Sequence, residues 1–321
     1  MQINIEKIKS LVKNSSKVVI MAHKRLDLDA LGSSLGLYYF AKSLGKNATL
    51  LIEEDTFEDG VGLSLLKIKK NKIDIDIKKY SQLDLDPETL LIIIDTNNMS
   101  LVQNELAVKN IKNKVLIDHH INSGLHDKKF LYTFICNEQS SSVEIVIEML
   151  KYLDTYIPPY IATIMLSGIY VDSNRFSSKA SYKTHEGAAY LYKCGASSDE
   201  LVYLLKADFD EYVDQLEVVS KAERYNNCLI ALGNENKCYK AEDLAKIAEN
   251  LILIKDIEVA FTIGKINDQT IGISARSIGK INVQQIMKKM GGGGHNNEAA
   301  TQIKDLKVFE VLEKLKKIVG V

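Results

Sequence analysis

The chain has 321 residues, enough for two domains of ordinary size. Hydrophobic residues make up 46% and charged residues 26%, a globular composition, and 41 basic against 42 acidic side chains leave a net charge of −1. That balance excludes long nucleic acid as a ligand held by bulk charge, so any anionic ligand must meet a local basic patch. The N-terminal stretch MQINIEKIKSLVKN reads as an amphipathic, charged helix without a signal-peptide core or cleavage site. Lys17–Ala22 reads as a buried strand, Asp29 to Gly45 as a helix with Gly45 just past its end, and Ala48–Ile52 as a second strand. Leu90–Asp95 and Lys114–Asp118 are two more strands. All-apolar strands alternating with helices predict a mainly parallel sheet flanked by helices, with ligands beyond the carboxyl ends of its strands.

Helices are expected at about Ser140–Leu153 and Pro159–Asp172. A charged helical stretch from about Tyr182 to Arg224, with ALGNEN beyond it, is expected to connect two domains. Glu258–Ile263 and Thr270–Ala275 read as strands paired through the turn Asn267-Asp268. Helices at about Val283–Met290 and Val308–Val319 complete a smaller α+β domain, and a further helix is expected to begin just after His295. The expected division is 1–190, a helical linker 191–215, and 216–321, with the active site in the cleft between the domains. Cys136, Cys194, Cys228 and Cys238 are widely spaced and form no CxxC pair, which fits incidental thiols in a reducing compartment. No run approaches the roughly 20 apolar residues of a membrane helix. The expectation is a cytoplasmic chain, with an upstream anchor in a longer parent protein left open.

Four clusters fall at the expected ligand edge. His23, Asp27 and Asp29 follow the first strand, Asp95 ends LLIII, Asp118-His119-His120 ends KVLI, and Asp172 ends an apolar helix within GIYVDSNRFS. Each has a plainer explanation when taken singly. Asp29 could cap a helix, Asp95 could serve a turn, the adjacent histidines could be polar surface, and Asp172 could cap the next segment. Together they supply carboxylates and imidazoles, the donor types that bind divalent first-row metals. Two such ions roughly 3.5–4 Å apart can share a carboxylate and a water, activate that water and take up charge on a phosphoryl oxygen. The imidazoles argue against a magnesium site built from oxygen alone. His126 and His185 lack such context and read as surface. A second cluster joins SARSIG (Ser274–Gly279) to Gly291-Gly292-Gly293-Gly294-His295. Its glycine N–H groups can form an anion-binding nest, and the Arg276 guanidinium suits phosphate.

The pattern His23-x3-Asp27-x-Asp29-Ala30, then Asp95, Asp118-His119-His120 and Asp172, resembles the DHH phosphoesterase superfamily, and SARS with GGGGH resembles its DHH-associated C-terminal domain. The resemblance runs from about Lys17 to Lys317. GIYVDSNRFS, LLKADFDEYV, AFTIGKI and SARSIGKINVQQIMKKMGGGGHNNEAATQIKDL further resemble the catalytic half of GdpP-type cyclic-di-AMP phosphodiesterases. That subfamily ordinarily carries transmembrane, PAS-like and degenerate GGDEF segments ahead of this unit, so the chain reads as a stand-alone relative or a catalytic fragment. Leu26 stands where many relatives have proline, and Asn296-Asn297-Glu298 where smaller residues are common.

The resemblance implies two divalent ions, manganese foremost. His23 and Asp27 would hold one, Asp29, His119 and Asp172 the other, with Asp95 bridging them. His120 would face the scissile phosphate, Asp118 would orient the histidines, and Arg276, Ser277 and Gly291–His295 would hold the nucleotide. The implied reaction is hydrolysis of cyclic-di-AMP to linear pApA by a hydroxide bridging the metals. The alternatives are short linear oligonucleotides or 3′-phosphoadenosine 5′-phosphate as substrate, or a non-catalytic nucleotide sensor. A homodimer is one candidate assembly.

Overall fold

The computed structural model describes residues 2–121, 129–177 and 180–320. The chain divides into two compact units, Met1–Lys206 and Ala207–Val321. The division falls inside the segment expected as a helical linker, 191–215. Among the described residues, no helix is long and apolar enough to cross a membrane.

The first unit runs α1 (Ile5–Asn14), β1 (Val18–Met21), α2 (Leu28–Ser43), β2 (Ala48–Leu51), α3 (Asp59–Lys70), β3 (Ile77–Lys78), β4 (Leu90–Ile94), α4 (Glu105–Asn110), β5 (Asn113–Asp118) and β6 (Tyr132–Ile135). It closes with α5 (Ser142–Tyr152), α6 (Pro159–Asp172), α7 (Tyr182–Lys193) and α8 (Ser198–Leu204). The strands form one sheet in the order β3-β2-β1-β4-β5-β6, parallel throughout. Successive strand residues face opposite sides of a sheet, and both sides here are apolar. Val18, Ile20, Ile92, Ile94, Val115 and Ile117 pack with α2, α5 and α6, while Val19, Met21, Leu91, Ile93 and Leu116 pack with α4. Covering on both faces explains the all-apolar runs. The strand order reverses between β1 and β4, and the gap beyond their carboxyl ends is where such sheets admit ligands.

The second unit runs α9 (Phe209–Ser220), β7 (Glu223–Tyr225), β8 (Cys228–Leu232), α10 (Ala241–Ile252), β9 (Val259–Asn267), β10 (Thr270–Ser277), α11 (Val283–Lys289), β11 (Gly293–Gly294), β12 (Glu298–Lys304) and α12 (Val308–Val319). Its sheet has the order β11-β12-β10-β9-β8-β7, antiparallel except for the parallel pair β8 and β9. One face packs on α11 and α12, the other on α10. The expected larger parallel α/β domain and smaller α+β domain are therefore both present.

One expected element is wrong. No helix begins after His295; β12 follows, paired antiparallel with β10 from Arg276–Glu298 to Thr270–Lys304. The hydrogen bonds of β10 decide this segment, which alone reads as polar and alanine-rich. His185 is exposed and stacks on Phe176, with ring centroids 5.3 Å apart. His126 lies outside the described residues.

Candidate metal centre and nucleotide groove

The apolar strands β1, β4 and β5 end side by side, and each releases its polar residues at the same edge. After β1, the loop through Arg25 and Leu26 is held by the Glu54 carboxylate, which accepts both backbone N–H groups. His23 is fixed from both ends. Its carbonyl accepts from Gln103 Nε2 (2.8 Å), and its Nδ1 lies 2.7 Å from the Lys24 carbonyl oxygen. That contact requires Nδ1 to carry the hydrogen, which leaves Nε2 as the atom that could coordinate an ion. Asp27 caps α2, accepting Ala30 N–H at 2.8 Å through Oδ1, while its Oδ2 lies 3.3 Å from His23 Nε2. Capping and ligand geometry thus belong to one residue.

Asp29 lies in the first turn of α2, where Gly168 of α6 comes close. A Cβ at Gly168 would lie 2.8 Å from the Asp29 Cα and 2.9 Å from the Leu28 carbonyl oxygen. The missing side chain lets the two backbones touch, and Asp172, one turn further along α6, arrives beside Asp29. Asp95 sits just past β4 at φ 62°, a left-handed conformation uncommon outside glycine and asparagine and frequent at functional sites. Its Oδ2 lies 3.4 Å from His23 Nε2 and its Oδ1 3.3 Å from His119 Nε2. His119 Nε2 also faces Asp172 Oδ2 at 3.3 Å and Asp29 Oδ2 at 3.8 Å.

Of three groups among the described residues whose donor atoms lie within 4.8 Å of one another, Asp95-His119-His120 overlaps the other two, the triads His23-Asp27-Asp95 and Asp29-His119-Asp172. Asp95 turns one oxygen to each. Donors around an ion with bonds of about 2.1 Å stand roughly 3–4 Å apart, so both triads fit one. His119 Nε2 supplies the sharper test. It is buried and has no hydrogen-bond partner among the described residues, though three carboxylates surround it. A buried polar atom in that condition is costly without a ligand. The electrostatics agree. Burial acts to lower the His23 pKa, yet hydrogen bonds and charge from Asp27 and Asp95 outweigh it and push the group up to about 12. His119 is likewise held well above the ordinary histidine range, against burial, by Asp172 and Asp95. Burial, then the charges of Asp95 and Asp172, raise Asp29. The cluster is short of positive charge, which a bound cation would supply.

Within the triplet that ends β5, Asp118 is fully buried and serves His120. Its Oδ1 lies 2.9 Å from His120 Nδ1 and accepts His120 N–H at 3.1 Å, while Asn97 Nδ2 donates to its other oxygen. The support expected for both histidines therefore appears as contacts to His120. The His120 side chain is 47% exposed, and its ring stands 4.2 Å from that of His119. Sequence reasoning missed Ser142, whose Oγ donates to Asp95 Oδ1 at 2.9 Å, and the N–H groups of Ser142 and Val143, which donate to Asp29 at 2.7 and 3.0 Å. The run Ser140-Ser141-Ser142 ahead of a helix was the available signal, and it reads only as a cap.

In the second unit a groove of about 380 Å³ is lined by Ser274, Arg276, Gly293, Gly294, His295 and Glu298, with α10 along one wall. The Arg276 guanidinium is clasped by Glu249, with Nη2 at 2.9 Å and Nε at 3.3 Å from one oxygen. Residues 276 and 277 face opposite sides of β10. Ser277 Oγ donates to the Ile281 carbonyl oxygen at 2.6 Å, so the structure does not bring Ser277 to the groove with Arg276. The glycine run has a structural use as well. Gly293 and Gly294 pair with Ala300 and Ala299, and a Cβ at Gly294, where φ is 137°, would lie 2.5 Å from the Glu298 carbonyl oxygen.

Residues 17–169 match the DHH family N-terminal domain and residues 227–320 the DHHA1 domain. The chain is 32% identical over 326 residues to the cyclic-di-AMP phosphodiesterase GdpP of Bacillus subtilis (strain 168), covering 96% of this chain and 48% of that protein. It is also 32% identical over 326 residues to the bifunctional oligoribonuclease and PAP phosphatase NrnA of Mycoplasma genitalium, covering 96% of each. The chain thus spans about half the length of GdpP and nearly all of NrnA. An exopolyphosphatase-related protein from Bacteroides fragilis superposes with a TM-score of 0.80 over 98% of this chain and 95% of that one, at 21% identity, a likeness of fold. With a DHH domain ahead of a DHHA1 domain and a relative matched along nearly its whole length, the chain belongs to the DHH family.

Proposed function

We propose that the chain is a metal-dependent phosphodiesterase that hydrolyses cyclic-di-AMP to linear pApA. The observation that carries the reaction class is the buried, unpartnered Nε2 of His119 facing carboxylates that arrive from α2, β4 and α6. In this reading His23, Asp27 and Asp95 hold one manganese ion, and Asp29, His119, Asp172 and Asp95 hold the other. Bound there, the two ions supply an activated water and neutralise charge on the phosphoryl oxygens. The leaving group is a ribose 3′-oxygen, a poor one. His120, whose Nδ1 is paired with Asp118 and whose pKa, against burial, that pairing raises, would in its imidazolium form donate a proton or hydrogen bond to it from Nε2. Arg276 and the 291–295 loop would recognise the nucleotide. There Glu249 holds the planar guanidinium in one orientation.

The cyclic substrate is supported by the stretches shared with GdpP and by its 32% identity across 96% of this chain. A second reading has its own support. NrnA, named as an oligoribonuclease and PAP phosphatase, matches this chain over 96% of both lengths. The deciding experiment is a panel of cyclic-di-AMP, cyclic-di-GMP, pApA and 3′-phosphoadenosine 5′-phosphate on one preparation with added manganese. The proposal expects cyclic-di-AMP to be turned over fastest and pApA to accumulate. A large preference for the linear substrates overturns the first reading in favour of the second. Tight cyclic-di-AMP binding with no product overturns both in favour of a sensor.

A further inference from the structure

The first turn of α5 touches carboxylates of both triads. Ser142 is fully buried, and it donates twice. Its backbone N–H goes to Asp29 Oδ2 at 2.7 Å and its hydroxyl to Asp95 Oδ1 at 2.9 Å. Those two oxygens are the ones that stand 3.8 and 3.3 Å from His119 Nε2. The ordinary use of a serine at this position, capping the helix, is already taken. Ser141 is the cap, and its Oγ accepts the Glu144 N–H. The Ser142 hydroxyl is therefore free of that duty and aimed at the carboxylate that turns one oxygen to His23 and the other to His119.

We infer that Ser142 is a positioning residue for the metal pair, fixing the plane of the Asp95 carboxylate so that one oxygen serves each ion. This rests on the two-ion reading above. The terminal torsion of an aspartate is soft and nearly two-fold, so it takes a directional partner to hold one orientation. Asp95 has few rivals for that role. His23 and His119 contact it as fellow ligands, and His120 Nδ1, 3.6 Å away, is engaged by Asp118. A hydroxyl donated to Oδ1 occupies one lone pair and leaves the other for the ion. Partners of this kind, one bond removed from a metal, typically change affinity about 10–100-fold when lost.

The test is manganese binding to the full chain, by titration calorimetry and by electron paramagnetic resonance, for wild type, Ser142→Ala and Ser142→Thr. Wild type should take up two ions and show the signal of a coupled pair. Ser142→Ala should bind the second ion about 10–100-fold more weakly and show isolated manganese at partial loading, while Ser142→Thr, which keeps the hydroxyl, should stay near wild type. Unchanged binding and coupling in Ser142→Ala overturns the inference. So does an equal loss in both variants, which would make side-chain volume the cause. A metal-free Ser142→Ala chain that melts far below wild type overturns it too, because the hydroxyl would then serve the fold. If wild type takes up no second ion, the two-ion reading fails and this inference with it. If wild type binds the pair but turns over none of the substrate panel, the proposed activity fails while the role of Ser142 stands on the binding data.

Discussion

In the first unit the polar residues that end β1, β4 and β5 are gathered in a partly buried cluster where carboxylates outnumber histidines and His119 Nε2 has no partner among the described residues. In the second unit the polar candidates are satisfied by their neighbours. Arg276 is clasped by Glu249, Ser277 by the Ile281 carbonyl, and two of the four glycines by pairing with β12. The contrast teaches where a ligand is demanded and where it is only admitted. A buried nitrogen left without a partner among three carboxylates favours an ion there, whereas a satisfied groove offers shape and one oriented guanidinium.

The comparison can be broken at its strongest point first. Asp95→Ala removes the carboxylate that faces both His23 and His119 and should cut turnover by at least about a thousandfold with manganese present. Product formation and metal content of the purified variant check this, and wild-type-like activity would sink the two-ion assignment. Manganese itself should act on one unit only. At about 100 times its dissociation constant it should stabilise the first unit by about 2.7 kcal/mol. Scanning calorimetry would then show one transition rising by about 5–10 °C on manganese addition, falling back with chelator, while the other stays put. A shift in both would show that the units do not melt separately.

Gly168→Ala tests how the first unit brings its carboxylates together. Both close neighbours of the added Cβ are backbone atoms and cannot swing aside. The expected cost is about 1–3 kcal/mol, with weaker manganese binding as α6 is pushed off α2. A normal melting temperature would mean that the helices can separate freely. The smallest effect belongs to the second unit. Arg276→Ala should raise KM about tenfold with little change in kcat, since the residue binds and does not react. A fall in kcat at constant KM would place Arg276 in the chemistry and erase the contrast.

The candidate ligand residues were legible because buried parallel strands have a strong apolar signature, and a charged residue directly after one stands out. His23, Asp27, Asp95 and His119 were found in that way. Asp172 was found at the end of a helix, and only Gly168 explains how it reaches the others. Ser142 was not legible. A serine before a helix reads as a cap, and no pattern along the chain tells Ser141, which is the cap, from Ser142, which is not. The glycine run was legible as a place of close backbone approach. The approaching partner, however, is β12, where a helix had been expected.

By itself the sequence determined what local chemistry determines: the apolar strands, the length of α6, and the order of the candidate ligand residues along the chain. Each follows from propensity or periodicity within a few residues. The tertiary structure alone decided which carboxylate is shared, which histidine is clasped by Asp118, and which face of β10 carries Arg276. These depend on strand order, on β12 pairing with β10, and on α6 touching α2 at Gly168. Such contacts join residues as far apart as Asp29 and Ser142, whose adjacency is set by packing and by no local signal.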